Sequence, residues 1–134
     1  LPAQKRHLPD THLKAVFTKE GADGRFPDPA KQELWESITR DFLGLRTYGY
    51  KDLNHWMDKQ THLAMGLTMM AAAELGVEAT SLEGFDSTSV DKAFKIRESG
   101  HTTTVLLALG YPDPARVHTT SISRFEADQL FTFM

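Results

Sequence analysis

HWMDKQTHLAMGLTMMAAAELGVEATSLEGFD, residues 55–86, contains the longest helical pattern of the chain and the first strand-and-turn signal after it. From His55 to Leu75 the residues Trp56, Leu63, Met65, Leu67, Met69, Met70 and Leu75, with Ala64 and Ala71 to Ala73, are apolar nearly all round a helix. That pattern predicts a central helix buried on most sides. Gly66 and the alanines let another backbone approach closely, and Gly76 supplies a left-handed C-cap. Asn54 or Asp52 can cap the start, and the preceding Arg46 to Lys51, with Tyr48, Gly49 and Tyr50, reads as a linker. Val77 to Thr80 suits a short strand, and Ser81 to Asp86 a turn with Gly84 at its centre.

Outward from this block, the C-terminal side continues with a helix started by Asp86 or Ser87, with Val90, Phe94 and Ile96 as its apolar face and Gly100 as its stop. Thr102 to Leu109 is a run of β-branched and apolar residues without alternation, which predicts one central strand covered on both faces. Beyond Pro112-Asp113-Pro114 an extended tail is expected, and its end, Leu130-Phe131-Thr132-Phe133-Met134, is apolar enough to dock, for example onto another subunit. On the N-terminal side, Leu13, Val16 and Phe17 mark a short helix after Pro9-Asp10 that runs out at Gly21. Asp28 with Pro29 signals the cap and first turn of a second helix, whose apolar residues Leu34, Trp35, Ile38, Phe42 and Leu45 recur at helical spacing up to Gly44. The narrow stripes of these two helices, residues 10–45, suggest a protruding pair beside a core of residues 52–134. The reading is a single α+β domain over 1–134, helix-rich, with a central sheet flanked by helices.

Composition narrows the function. The 134 residues are 40% hydrophobic and 25% charged, the balance of a folding chain rather than a disordered one. Fifteen basic against eighteen acidic side chains give a net charge of -3, which argues against a phosphate-backbone binder of nucleic acid. With no cysteine, thiolate metal sites, disulfide scaffolds and thiol nucleophiles are excluded, and a reducing compartment is compatible. The uncharged run between Lys59 and Glu74 is shorter than the roughly 18–20 residues of a membrane span, so no membrane association is expected. The start, Leu1-Pro2-Ala3-Gln4-Lys5-Arg6, carries neither an initiator Met nor the apolar core of a signal peptide, as in a processed or truncated piece.

Few residues offer chemistry unaided. None of the six histidines forms the His-x-x-x-His pattern of a zinc helix, although His55 and His62 share a helix face two turns apart; no metal site is expected. Asp23 and Asp28 lack the alternating ligand pattern of a calcium loop, and no Gly-x-Ser-x-Gly or P-loop sequence occurs. The turn Leu82-Glu83-Gly84 and the isolated Arg124 remain. Glycine admits a flat ligand close to a backbone N–H, yet both features also suit a structural turn and a surface arginine.

Trp56-Met57-Asp58-Lys59-Gln60, the small-residue helix, Leu75-Gly76-Val77 and Leu82-Glu83-Gly84-Phe85-Asp86 together resemble the FMN-dependent nitroreductase family. The likeness is to its oxygen-insensitive NAD(P)H nitroreductase and dihydropteridine reductase branch. Ala22-Asp23-Gly24-Arg25-Phe26, Phe94 to Gly100 and Ser123-Arg124 fit the same family in the same order. The resemblance implies a cytoplasmic homodimeric flavoprotein that takes hydride from NAD(P)H onto FMN and passes two electrons, by a ping-pong route, to a nitroaromatic or quinone. The flavin then carries the chemistry, so no catalytic acid or base of the protein is expected. By the same resemblance Leu82, Glu83 and Gly84 face the flavin, with an amide N–H offered to N5, and Ser123 and Arg124 lie at the FMN phosphate. Phe42 is the candidate aromatic lid over the substrate, with core packing as its alternative reading.

The resemblance also implies that the chain corresponds to the C-terminal portion of such an enzyme. The family's N-terminal flavin contacts have no counterpart, and Ile122 stands where the family has a lysine. Poor FMN binding by these residues alone is therefore expected. Two other functions stay open: a flavin-less remnant serving as a dimerisation or partner-binding module, and an FMN reductase that releases reduced flavin.

Overall fold

The computed structural model describes the backbone of residues 2–4 and, with side chains, residues 10–115 and 123–132. Two helices come first, α1 (Asp10–Ala22) and α2 (Pro29–Gly44). Asp28 caps α2 as its sequence predicts, its carboxylate accepting the Ala30 N–H at 2.9 Å, with Pro29 in the first turn. The pair runs antiparallel: Gln32 near the start of α2 donates to the Phe17 carbonyl at 3.1 Å, and Arg40 near its end meets Asp10 at 2.6 Å. Leu13 and Phe17 are buried between them, and Phe17 stacks on Phe26 at 5.9 Å.

The expected linker after Gly44 is instead a continuation of α2. Leu45–Gly49 forms one wide π-helical turn, closed by the Tyr50 N–H on the Leu45 carbonyl at 2.9 Å. Arg46 explains the order there. Its guanidinium lies over the rings of Phe42 and Tyr50, at 5.2 and 5.3 Å, and bonds Asp52 at 2.8 Å. Asp52 thereby occupies the cap position of the next helix without using its side chain as a cap.

That helix, α3 (Leu53–Glu74), is the central one by length. The all-round burial expected of it is not what this chain provides: only Leu53, Met57 and Ala72 are buried, while Leu63, Leu67 and Met70 are 63–70% exposed. Among the described residues, α3 is contacted mainly by the π turn and by short strands, with Phe42 of α2 edge-on to Trp56, which is too little to cover a 22-residue helix. Gly76 ends it with φ of +68°, the left-handed conformation expected.

The strands form two antiparallel pairs. β1 (Pro2–Gln4) pairs with β3 (His101–Thr103), Gln4 opposite His101; β2 (Glu78–Leu82) pairs with β4 (Leu106–Gly110), Leu82 opposite Leu106. The single strand expected over Thr102 to Leu109 is thus divided at Thr104–Val105, and most of β4 is exposed rather than covered. The division has a physical cause. Asp91, on α4 (Ser87–Ala93), accepts from the Thr103 N–H at 2.7 Å, the Thr103 hydroxyl at 2.8 Å and the Thr102 hydroxyl at 2.7 Å. β3 is therefore held to a helix by its side chains, and fully buried Val105 turns the chain into the second pair.

Asp86 caps α4 through the Thr88 N–H at 3.0 Å. α4 is shorter than its sequence pattern suggests, because Lys95 adopts φ of +53° and opens a 3-10 turn, Ile96–Ser99, ended by Gly100. Phe94, expected on the buried face, is 74% exposed for the same reason. In the tail, Ala127–Leu130 is a single helical turn with a Glu126–Gln129 capping box, not an extended segment. Phe125, Leu130 and Phe131 are exposed rather than docked among the described residues, and Phe133 and Met134 lie outside them.

Candidate functional site

Leu82 is the last residue of β2, and Glu83 and Gly84 follow in an exposed turn. The Phe85 N–H closes the turn on the Glu83 carbonyl at 2.9 Å, and the Asp86 cap fixes its far end. Among the described residues, no turn or loop hydrogen bond engages the Gly84 N–H. Gly84 does not have a positive φ, and a Cβ built on it meets nothing within 4 Å. The turn itself does not need glycine here. Its missing side chain leaves room on the outer face, beside the Gly84 N–H, for a planar group to lie against the backbone.

The Glu83 side chain points to α3, where its Oε1 lies 3.1 Å from His62 Nε2. His62 Nδ1 lies 2.8 Å from the Asp58 carbonyl one turn earlier. A carbonyl and a carboxylate only accept, so both ring nitrogens carry hydrogens when the two bonds are made, which is the imidazolium form. The bond to the Asp58 carbonyl, then the Glu83 carboxylate, accordingly raise the His62 pKa from its ordinary value. Asp58 is itself held, its Oδ1 accepting the Thr104 hydroxyl at 3.0 Å. Sequence reasoning missed His62 and Asp58 in this role. The available signal was their one-turn spacing on a single helix face, overshadowed by a search for metal ligands; among the described residues no group of three or more His, Asp or Glu side chains is placed to hold a metal ion.

Phe42 lies at the end of α2 against α3, edge-on to Trp56 at 5.6 Å and beneath Arg46, and is 39% exposed. It is thus both packed and presented. Ser123 and Arg124 are exposed, the guanidinium Nη1 donating to the Ser123 carbonyl at 2.8 Å. Among the described residues, no hydrogen bond or ion pair joins them to the Leu82–Gly84 turn. Ile122 lies outside the described residues.

The second polar centre is Asp91, whose side chain is 1% exposed and which accepts a fourth bond from Arg97 Nε at 2.9 Å. Burial alone raises a carboxyl pKa, but the bonds from Thr102, Thr103 and Arg97 prevail and hold this one well below the usual carboxylate range. Asp91 is ionised throughout the physiological range and holds β3 against α4.

Residues 2–111 match the model of the nitroreductase family. The chain belongs to this family. Among curated relatives, it is similar to the oxygen-insensitive NAD(P)H nitroreductase of Salmonella typhimurium, 33% identical over 107 residues, and to that of Enterobacter cloacae, 31% identical over the same length; each match covers 80% of this chain and 49% of the relative. The major NAD(P)H-flavin oxidoreductase of Aliivibrio fischeri is 27% identical over 109 residues, 81% of this chain and 49% of the relative. The chain spans about half the length of the curated relatives it matches. The span matched to the nitroreductase family contains Phe42 and Leu82–Gly84 and stops before Ser123 and Arg124. No helix among the described residues is long and apolar enough to cross a membrane.

Proposed function

We propose that the protein takes part in FMN-dependent, NAD(P)H-driven two-electron reduction of a nitroaromatic or quinone, by a ping-pong cycle in a cytoplasmic homodimer. The observation that carries this reading is the Glu83–Gly84 turn: among the described residues no turn or loop bond engages the Gly84 N–H, and nothing lies within 4 Å of a Cβ built on Gly84. FMN, when bound, supplies the hydride and electron chemistry. The chain's part is to offer the Glu83 and Gly84 N–H groups to the ring edge, keep Leu82 at the end of β2 beneath them, and lend Arg124 with Ser123 to the phosphate through charge-assisted bonds. Phe42 narrows the acceptor's entry with an aromatic surface, steadied by Trp56 and Arg46. The exposed Leu63, Leu67 and Met70 stripe of α3 supports the homodimer, since a second copy would cover it.

Two observations favour the alternatives. The Aliivibrio relative's name pairs NAD(P)H with a flavin, which suits an FMN reductase, and the exposed apolar surface of α3 suits a flavin-less dimerisation module. The deciding experiment is a visible absorption spectrum of the protein after addition of FMN and desalting, followed by NADH and NADPH oxidation with a nitroaromatic, a quinone or free FMN. Retained flavin and faster turnover with the first two acceptors support the reading; faster turnover with free FMN favours the reductase, and a colourless dimer favours the module.

A further inference from the structure

Glu83 has two ends with different tasks. Its backbone belongs to the open turn, and its side chain reaches back to α3, where His62 receives it at 3.1 Å. Among the described residues this is the one hydrogen bond from the Glu83–Phe85 turn to α3. The receiving ring is not loose. Its other nitrogen is bonded to the Asp58 carbonyl at 2.8 Å, and Asp58 uses its carboxylate on Thr104 at 3.0 Å. A relay of three bonds thus runs from the break between β3 and β4, across the first half of α3, to the turn after β2. An exposed pair of this kind contributes little to global stability, but it acts on the turn that carries the Gly84 N–H.

We infer that His62 is a positioning residue: by holding the Glu83 carboxylate from α3, it fixes the direction of the adjacent Glu83 and Gly84 N–H groups. This rests on the reading of that turn as the flavin-facing segment. His62 touches neither flavin nor acceptor in this role; it acts through Glu83. The test is backbone 15N relaxation of the full 134-residue chain without FMN, comparing the unaltered protein with His62→Phe, His62→Gln and Glu83→Ala. In the unaltered chain the Gly84 amide has an order parameter near the rigid value of about 0.85, and in His62→Phe it falls toward about 0.6. His62→Gln, whose side-chain amide can still donate to Glu83, restores it, whereas the amides of β2 and β4 keep their order in every variant.

Glu83→Ala removes the same tie from the other end without altering α3. It gives the same loosening of Gly84, and decides the matter alone if His62→Phe does not fold. The inference is overturned if Gly84 keeps its order in the variants, if it is already mobile in the unaltered chain, or if His62→Phe loosens α3 and β2 equally. Titration of FMN into the unaltered chain, followed at the Gly84 amide, reports separately on the flavin reading. Loosening by His62→Phe together with an amide indifferent to FMN leaves the positioning role standing and removes the flavin.

Discussion

Two carboxylates, Asp91 and Glu83, lie eight positions apart on either side of the Asp86 cap and are treated oppositely by the fold. Asp91 is buried and accepts four bonds from Thr102, Thr103 and Arg97. Glu83 is exposed and has one, from His62. The difference separates what the chain must hold still from what it must leave available. A strand with only three residues in its ladder needs a side chain to fix it, whereas a turn that is to meet a ligand needs its backbone donors unclaimed and only lightly steered.

The largest effect should come from breaking the buried side of this contrast. Asp91→Ala strips the Thr103 N–H of its acceptor inside the protein. A buried donor left unpaired costs about 1–3 kcal/mol, so the urea midpoint should fall further for this variant than for any other substitution considered, with Asp91→Asn between it and the unaltered chain. An unchanged midpoint for Asp91→Ala would mean that β3 is held by something other than the carboxylate.

Next in size is Phe42→Ala. It removes the edge contact with Trp56 and the ring beneath Arg46, a loss of about 0.5–1.5 kcal/mol for an aromatic pair. If Phe42 also lines the acceptor's entry, KM for a nitroaromatic rises several-fold in a flavin-loaded form while turnover with free FMN is spared. A stability loss with no change in acceptor preference would assign Phe42 to packing alone.

The two centres should also separate along the pH axis. Asp91 has a folded pKa below its unfolded one, so its contribution is complete above the ordinary carboxylate value of about 4 and is lost as pH falls through the depressed folded value. His62, faced by Glu83 from the turn and by Asp58 on its own helix, has the reverse sign. Its contribution is complete below the ordinary imidazole value of about 6.5 and disappears as pH rises through the raised folded value. Urea midpoints measured from acid to mildly alkaline pH should show a steep acid limb removed by Asp91→Ala and a shallow alkaline one removed by His62→Phe.

Smallest in stability is Gly84→Ala, which meets no neighbour and no forbidden φ and should leave the midpoint within about 0.5 kcal/mol. FMN retention, by contrast, should drop, because the added methyl stands where the ring would approach. If Gly84→Ala kept flavin as well as the unaltered chain does, the open face would not be the ring's seat.

The same contrast marks how far the sequence could be read. Signals that act within one or two turns were legible: Asp28-Pro29 opened α2, Gly76 closed α3, Asp86 capped α4, and Gly100 ended the segment before β3. Contacts between residues distant along the chain were not. Nothing in the spacing of Asp91 announces Thr102 and Thr103, and an unbroken run of β-branched residues conceals the division at Thr104–Val105. The Leu82–Gly84 turn was legible from its glycine and its flavin-facing role came from resemblance, but its tie to His62 depends on how β2 returns along α3. The apolar surround of α3 was legible as a demand for cover. It did not say whether the same chain supplies it, and most of that surface is open here.

The division between β3 and β4 also has a consequence in time. β2–β4 joins neighbours across α4, whereas β1–β3 joins strands far apart along the chain and encloses about four times as much of it. Each doubling of an enclosed loop costs only about 0.6 kcal/mol, so the long closure adds little to the equilibrium, but contacts between distant residues form slowly. Because the two strands are separate, the inner hairpin-like unit with α4 can form before the N-terminal strand arrives. The Glu83–Gly84 turn can then be shaped early in folding, and β1 can be added as the last strand onto an edge that Asp91 has already prepared.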